Sequence, residues 1–283
     1  MDFASLLSDL LGQPVTATRQ LQGGDLNEVR QLTLADGRQM VAKLGSHAPV
    51  EADMLRALAR VGAPAPRVLL SRPLMLILEH LPETRPGPGA WDRLGRVLRA
   101  LHDAPAPPGT AYGWVEDYAF GPVAIPAAAG RPPVPDPGPS AQGTAPDWPR
   151  FWAEARLLQG LETLPIGLAR RIEALAARLP ELLPAAPRPA LLHGDLWAGN
   201  LLWGPDGGVH LIDPACAYGD PEVDLAMLHL FGQPGAGFAE AYGPLPEGWQ
   251  ARRPLYQLWP ALVHLRLFGD GYRGLVDGLL DQI

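Results

Sequence analysis

Apolar positions recur along this chain with two periods, and the balance between them changes near residue 80. Phe3, Leu6, Leu7, Leu10 and Leu11 share one side of a helix over residues 2–11, which Gly12 and Pro14 end. Strand patterning follows. Residues 15–21 mix β-branched and polar side chains, and Asp36-Gly37 is a turn pair between the runs 29–34 and 38–44. A hairpin is predicted there, with Lys43 on its second strand. Helical spacing returns over 50–61, with Met54, Leu55, Leu58 and Val61 apolar, and runs 67–70 and 74–78 read as two more strands. Residues 1–80 therefore predict a small antiparallel sheet with an inserted helix.

Beyond Glu79-His80-Leu81-Pro82 the stretch PETRPGPGA is rich in Pro and Gly, which sets a lobe boundary near residue 80. Residues 81–283 are mostly helical in pattern, with helices expected over 91–102, 148–161, 166–183, 222–231 and 256–280. Residues 121–147 are crowded with Pro, Gly and Ala and nearly free of periodicity, and read as an irregular surface loop. The expected class is α+β with two lobes: a β-sheet lobe over 1–80 and a helical lobe over 81–283.

Composition narrows the functions open to such a chain. With 283 residues, 47% of them hydrophobic, a sizeable core can form. The formal net charge is −7 and the positive residues are scattered, so no basic face for nucleic acid is visible. No window resembles a membrane span, and the first residues lack the pattern of a signal peptide. A lone cysteine, Cys216, excludes an intrachain disulfide or a cysteine metal cluster. A cytoplasmic enzyme fits these facts. Of the 23 lysines and arginines only one is a lysine, Lys43. Compositional bias toward Arg explains this blandly. A need for a compact ammonium at position 43 explains it more sharply.

The densest chemistry lies in LLHGDLWAGNLLW and the IDP that follows. Runs 201–203 and 209–212 flank the turn GPDGG, which predicts a hairpin. Asn200 enters its first strand and Asp213 leaves its second, so the hairpin returns them to one side. Asp195 lies in the loop feeding the hairpin. Two carboxylates and an amide at such a junction suit Mg²⁺, and one carboxylate can instead take a proton from an alcohol. Asp195 is the candidate base, Asp213 the principal metal ligand and Asn200 the second. His193 has no partner histidine at ligand spacing and supports the loop. In the first lobe, Gly23-Gly24-Asp25-Leu26-Asn27 is a Gly-rich turn that can approach phosphates. Lys43 can then bind phosphates, oriented by Glu51, or by Asp53 if the helix is rotated. Leu76-Ile77-Leu78-Glu79-His80-Leu81 reads either as an ordinary buried strand or, by resemblance to kinase-like folds, as a hinge whose backbone at Glu79, His80 and Leu81 meets an adenine edge. Asp220, Glu222 and Asp224 have the look of a helix start, although their spacing also allows metal ligation, and resemblance to kinase-like folds implies Asp224 as an anchor for the catalytic loop.

HGDLWAGN with IDP resembles the catalytic and metal segments of protein-kinase-like phosphotransferases that act on small molecules. The resemblance to the fructosamine kinase / ketosamine-3-kinase family is closer. It rests on GGDLNEVRQLTLADGRQMVAK, YGWVEDYAFG, DWPRFWAEARLLQ, HGDLWAGNLLW, IDPACAYGDPEVDLAMLHLFG and LYQLWPALVHLRLFGDGY. It implies ATP-dependent phosphorylation of a sugar hydroxyl, classically the 3-hydroxyl, on a low-molecular-weight ketosamine or a glycated lysine. It also implies Asp195 as base, Asn200 and Asp213 as Mg²⁺ ligands, and Lys43 with Glu51 as the phosphate pair. Trp197 stands as an acceptor-site residue or as a wall of the core. The chain departs from bacterial relatives where Tyr118 replaces an Asn and the 121–147 region becomes Pro/Ala-rich. That departure keeps open a kinase for an aminoglycoside, amino alcohol or sugar. A catalytically silent nucleotide-binding protein is a third reading, disfavoured because no group required for the chemistry is missing.

Overall fold

The computed structural model describes residues 3–21, 28–128 and 147–283. Helix α1 (Phe3–Leu11) precedes strands β1 (Val15–Gln20), β2 (Glu28–Leu34) and β3 (Gln39–Leu44). Helix α2 (Ala48–Arg60) and strands β4 (Val68–Arg72) and β5 (Met75–Glu79) follow. The five strands form one antiparallel sheet in the order β1-β2-β3-β5-β4. Side chains alternate across it. Ala42 and Ile77 pair in register and pack with Leu32 and Leu7 on one face, while Leu76 and Leu78 face Ala52 and Leu55 of α2 on the other. Lys43 pairs with Leu76, so its side chain falls on the α2 face. Period-2 patterning thus delivers the one lysine to the helix that carries Glu51.

Residues 80–87 form no helix or strand and lead into α3 (Ala90–Asp103). Thr84 donates its backbone N–H to the Trp203 carbonyl at 2.7 Å and its hydroxyl to the same oxygen at 3.3 Å, pinning this connection to the Trp203 backbone. A short hairpin, β6 (Tyr118–Phe120) and β7 (Val123–Ile125), comes next. This corrects the expectation of an irregular loop over 121–147: residues 123–125 are a paired strand, with Val123 and Ile125 buried in the main core. Residues 129–146 lie outside the described residues.

The helix expected over 148–161 is also corrected. Helix α4 (Trp148–Trp152) widens at Ala153–Leu157 into a π-helical turn, with Leu158 N–H reaching the Ala153 carbonyl at 2.9 Å. The buried Arg156 guanidinium there lies over the Phe151 and Trp259 rings and donates to the Ala155 and Pro126 carbonyls. Helix α5 (Ile166–Leu182) is followed by β8 (Ala190–Leu192), β9 (Leu201–Trp203), β10 (Val209–Leu211) and β11 (Ala217–Gly219). β9 and β10 are the predicted hairpin, and β8 pairs with β11.

Helices α6 (Glu222–Leu228), α7 (Phe238–Tyr242), α8 (Trp249–Phe268) and α9 (Arg273–Leu280) complete the chain. The predicted run 256–280 is two helices, because Gly269 adopts φ 80 and ends α8. α8 also begins before Tyr256: Pro254 and Pro260 sit inside it, both buried against their neighbours. α6 stops three residues short of the predicted end. One core cluster joins Met54 and Leu58 of α2, Leu94 and Leu98 of α3, and Leu201, Val209 and Leu211 of the β9–β10 hairpin. The sheet's helix and the β9–β10 hairpin therefore share a core, reinforced where Leu211 N–H donates to the Pro64 carbonyl at 2.8 Å. No described helix is long and apolar enough to cross a membrane.

Candidate active site

Lys43 is the hinge of the site's charge. Its Nζ lies 2.6 Å from Glu51 Oε1 and 2.9 Å from Asp213 Oδ1. Lys43 and Glu51 are 6% and 3% exposed. Burial disfavours the ammonium, but the two flanking carboxylates outweigh it and raise the lysine's pKa, so Lys43 is firmly charged. The rival acid, Asp53, points to solvent and pairs with Arg56 at 2.8 Å, which decides for Glu51.

The predicted hairpin brings Asn200 and Asp213 to one side, with Ile212 N–H donating to the Asn200 carbonyl at 3.1 Å. Asn200 Nδ2 donates to the Asp195 backbone carbonyl and to its Oδ2, both at 2.8 Å. Burial, opposed by this bond and aided by the charges of Asp213 and Asp224, pushes the Asp195 carboxyl up to about 7. His193 is buried and lies below its usual pKa because burial penalises its charge. Its Nε2 contacts the Ile212 carbonyl at 2.9 Å, and its Nδ1 accepts from Asp195 N–H at 3.3 Å. That pattern fixes one neutral tautomer, and the histidine braces the loop as expected.

Asp224 is fully buried beneath the loop. It accepts His193 N–H at 2.7 Å and Gly194 N–H at 2.9 Å, and its Oδ2 lies 3.2 Å from His102 Nε2. Burial would raise its pKa, but the His102 contact and the Gly194 bond hold it below the usual carboxylate value. Asp220 accepts Glu222 N–H at 3.0 Å and Tyr256 hydroxyl at 2.9 Å, while Glu222 pairs with Arg252 at 2.6 Å. Each acid of this cluster has its own protein partner, which favours the helix-start reading over metal ligation.

Backbone geometry is tight. Gly194 has φ 82, and a Cβ there would lie 1.8 Å from the Ala215 carbonyl oxygen. A Cβ on Gly199 would lie 2.3 Å from the Trp197 ring. Asp213 has φ 54, the one non-glycine with positive φ among the described residues. Such strain persists only where the surroundings hold it, here through Lys43.

The donor set fits a hard divalent cation. Both Asn200 amide hydrogen bonds go to Asp195, which leaves Oδ1 without a partner among the described residues. Asp213 spends Oδ1 on Lys43 and has Oδ2 to offer. No group of three or more His, Cys, Asp or Glu gathers as a metal site among the described residues. Mg²⁺ does not require one, because it takes one or two carboxylates and fills its shell with water and phosphate oxygens.

These groups open on a cavity of about 790 Å³ lined by Lys43, Asp195, Asn200 and Asp213, by Tyr118 from β6 and by one side of α8. Trp197 lines it too and is 39% exposed, so it is no wall of the core. Glu79, His80 and Leu81 do not line it. Glu79 turns to Arg67, accepting its N–H at 2.8 Å, and His80 Nε2 lies 3.1 Å from Gln31 Nε2. Gly23, Gly24, Asp25 and Asn27 lie outside the described residues.

A fructosamine kinase family profile matches residues 1–283. The chain belongs to the fructosamine kinase family. It is accordingly a phosphotransferase with an alcohol group as acceptor. A Synechocystis protein named "Probable ketoamine kinase" is 33% identical over 99% of this chain and 95% of its own. A Thermus thermophilus protein of the same name is 35% identical over 90% and 89%. Among solved structures, a fructosamine-3-kinase candidate from Thermobifida fusca superposes with TM-score 0.84 at 33% identity, covering 99% of this chain and 98% of that one. An amicoumacin kinase solved with AMP-PNP, Ca²⁺ and its antibiotic has TM-score 0.61 at 16% identity, covering 100% and 93%, a likeness of fold alone. The fold is that of protein-kinase-like small-molecule kinases.

In this fructosamine kinase family member, sequence patterns missed His102 and Tyr242. His102 Nδ1 lies 2.9 Å from the Tyr242 hydroxyl, completing a buried chain behind Asp224. A histidine closing the apolar stripe of α3 was the available signal. His264 was missed as well, although it lines the cavity.

Proposed function

We propose that this family member is an ATP-dependent kinase that phosphorylates a sugar hydroxyl, the 3-hydroxyl, of ketosamines. The acceptors are fructosamine or ribulosamine adducts of small amines or of lysine, and the setting is cytoplasmic. One observation carries the reading: the Asp195 carboxylate, held by Asn200, opens on the same cavity as Lys43 and Asp213. Its support in sequence is the family membership and the ketoamine kinase names of relatives at 33–35% identity.

In this reading residues 1–80 bind the nucleotide and residues 81–283 carry the base and the acceptor. Lys43 holds donor phosphate oxygens, oriented by Glu51. The backbone of Glu79, His80 and Leu81, rather than their side chains, meets the adenine edge. Asn200 and Asp213 hold Mg²⁺, which when bound neutralises phosphate charge. Asp195 accepts the acceptor hydroxyl's proton as that oxygen bonds to the γ-phosphorus and the bond to the ADP oxygen breaks. Asn200 keeps the carboxylate turned toward that proton, and Trp197 flanks the sugar.

The test is ADP release with Mg-ATP across fructose-amine and ribulose-amine adducts, free sugars, choline and one aminoglycoside. Turnover confined to ketosamines supports the reading. Turnover confined to another acceptor leaves a kinase and discards the ketosamine.

A further inference from the structure

The acceptor side of the cavity is built unlike its phosphate side. Lys43, Asp195 and Asp213 mark the phosphate side, while α8 presents Trp259, Pro260, Val263, His264, Leu267 and Phe268 to the other. Around His264 the rings crowd. Phe231 lies 4.7 Å from it centroid to centroid, Tyr272 5.1 Å and Phe268 5.5 Å. Trp197 continues the group, 6.2 Å from Phe231. Phe231 and Phe268 remain 43% and 46% exposed. Large aromatic surface left open beside a catalytic carboxylate is surface for a ligand.

The polar centre of this box is defined. His264 Nδ1 lies 2.8 Å from the Pro260 carbonyl oxygen, so Nδ1 carries a proton and donates it. Burial lowers the pKa of the ring and keeps it neutral. Nε2 is then a bare lone pair, and it has no hydrogen-bond partner among the described residues. Among the described residues, the acids lining the cavity are Glu28, Asp195 and Asp213, and none of these belongs to α8 or its flanking rings.

We propose that this box is the subsite for the amine half of the acceptor, taking a single secondary ammonium with one N–H on His264 Nε2 and its charge against the rings of Phe231, Phe268 and Tyr272. The inference rests on the ketosamine reading and deepens it. In a ketosamine four bonds separate the 3-hydroxyl oxygen from the amine nitrogen, so the ammonium must sit beside the base. Trp197, two residues from Asp195 and packed on Phe231, joins the two places. Ring faces attract a cation, and a neutral imidazole accepts its N–H without a carboxylate. With no acid among its described residues, the box does not reward a polycation.

The experiment uses two acceptors that differ in one atom: a 1-deoxy-1-alkylaminofructose and the matching 1-O-alkyl fructose ether. ADP release is followed with the wild type, His264→Leu, His264→Gln and Phe231→Leu. The wild type is expected to show a KM about tenfold lower for the amine, ~1.4 kcal/mol, with kcat similar for both. His264→Leu raises the amine KM about tenfold, leaves the KM for ether and for Mg-ATP unchanged, and His264→Gln restores part of the loss. Equal wild-type KM values for amine and ether overturn the subsite, and this comparison needs no variant. An equal effect of His264→Leu and Phe231→Leu on both acceptors also overturns it. Wild-type silence toward both compounds overturns the ketosamine reading itself, and the subsite with it.

Discussion

Asn200 Nδ2 bonds the Asp195 backbone carbonyl and its carboxylate at once, each at 2.8 Å. One amide thereby fixes the loop and orients the carboxylate proposed as the base. Replacing Asp195 with Asn keeps the size and removes the acceptor of the proton. Phosphate transfer should fall at least about a thousandfold while Mg-ATP affinity changes little. Steady-state turnover and calorimetric nucleotide binding test this, and unchanged turnover would remove Asp195 as the base.

The same substitution predicts a stability profile in Mg²⁺-free buffer. The Asp195 pKa is raised to about 7 from an ordinary 3.8. A carboxyl raised on folding costs nothing below its unfolded pKa, and the cost grows with pH until the folded pKa is passed. Asp195→Asn should therefore stabilise the protein progressively from about pH 4 to pH 7, by about 2 kcal/mol at pH 8 after allowing for partial solvent screening. Urea unfolding at pH 5 and pH 8 reads the difference. A gap that narrows with rising pH contradicts it.

Lys43→Arg preserves charge but replaces a compact ammonium with a planar fork. Nζ sits between Glu51 and Asp213 in a nearly closed space. The expected result is a loss of about a hundredfold or more in kcat/KM for ATP, with a folded protein. Kinetics near wild type would show that the lone lysine is compositional accident.

Tyr118 is a half-buried phenol on the cavity wall, its hydroxyl without a hydrogen-bond partner among the described residues. Burial raises its pKa, and the charges of Glu51, Lys43, Asp213 and Asp195 all reach it. A free donor so placed serves the reacting groups. Tyr118→Phe should lower kcat about tenfold and shift unfolding by less than about 0.5 kcal/mol, since no protein bond is lost. A kcat unchanged within twofold refutes the idea.

Gly194→Ala tests the loop itself. The added methyl meets a backbone oxygen at 1.8 Å in a left-handed conformation. A loss of about 3 kcal/mol or more is expected in urea unfolding, with Asp195 displaced and activity lost together.

The parts legible in the sequence were those built from neighbours. GPDGG between two apolar runs forced β9 and β10 together, and Asn200 and Asp213 followed from that turn. Strand alternation put Lys43 on the α2 face. The unread parts depend on distance along the chain. His102 meets Asp224 across 122 residues and Tyr242 across 140, which no local period encodes. β8 and β11 are three residues each, too short for alternation to declare. The break between α8 and α9 turned on the φ of Gly269, masked by apolar spacing that continues across it. Nor could strand pattern tell that the Glu79 side chain would turn to accept the Arg67 backbone N–H.

Reducing sugars modify proteins by condensing with neutral, accessible side-chain amines. This chain has one side-chain amine, at Lys43, and there it is buried, clamped between two carboxylates and held protonated. Arginine carries the remaining side-chain positive charge, and its guanidinium stays protonated throughout the physiological range. An enzyme working among sugar adducts of amines thus presents almost no lysine of its own to the sugars.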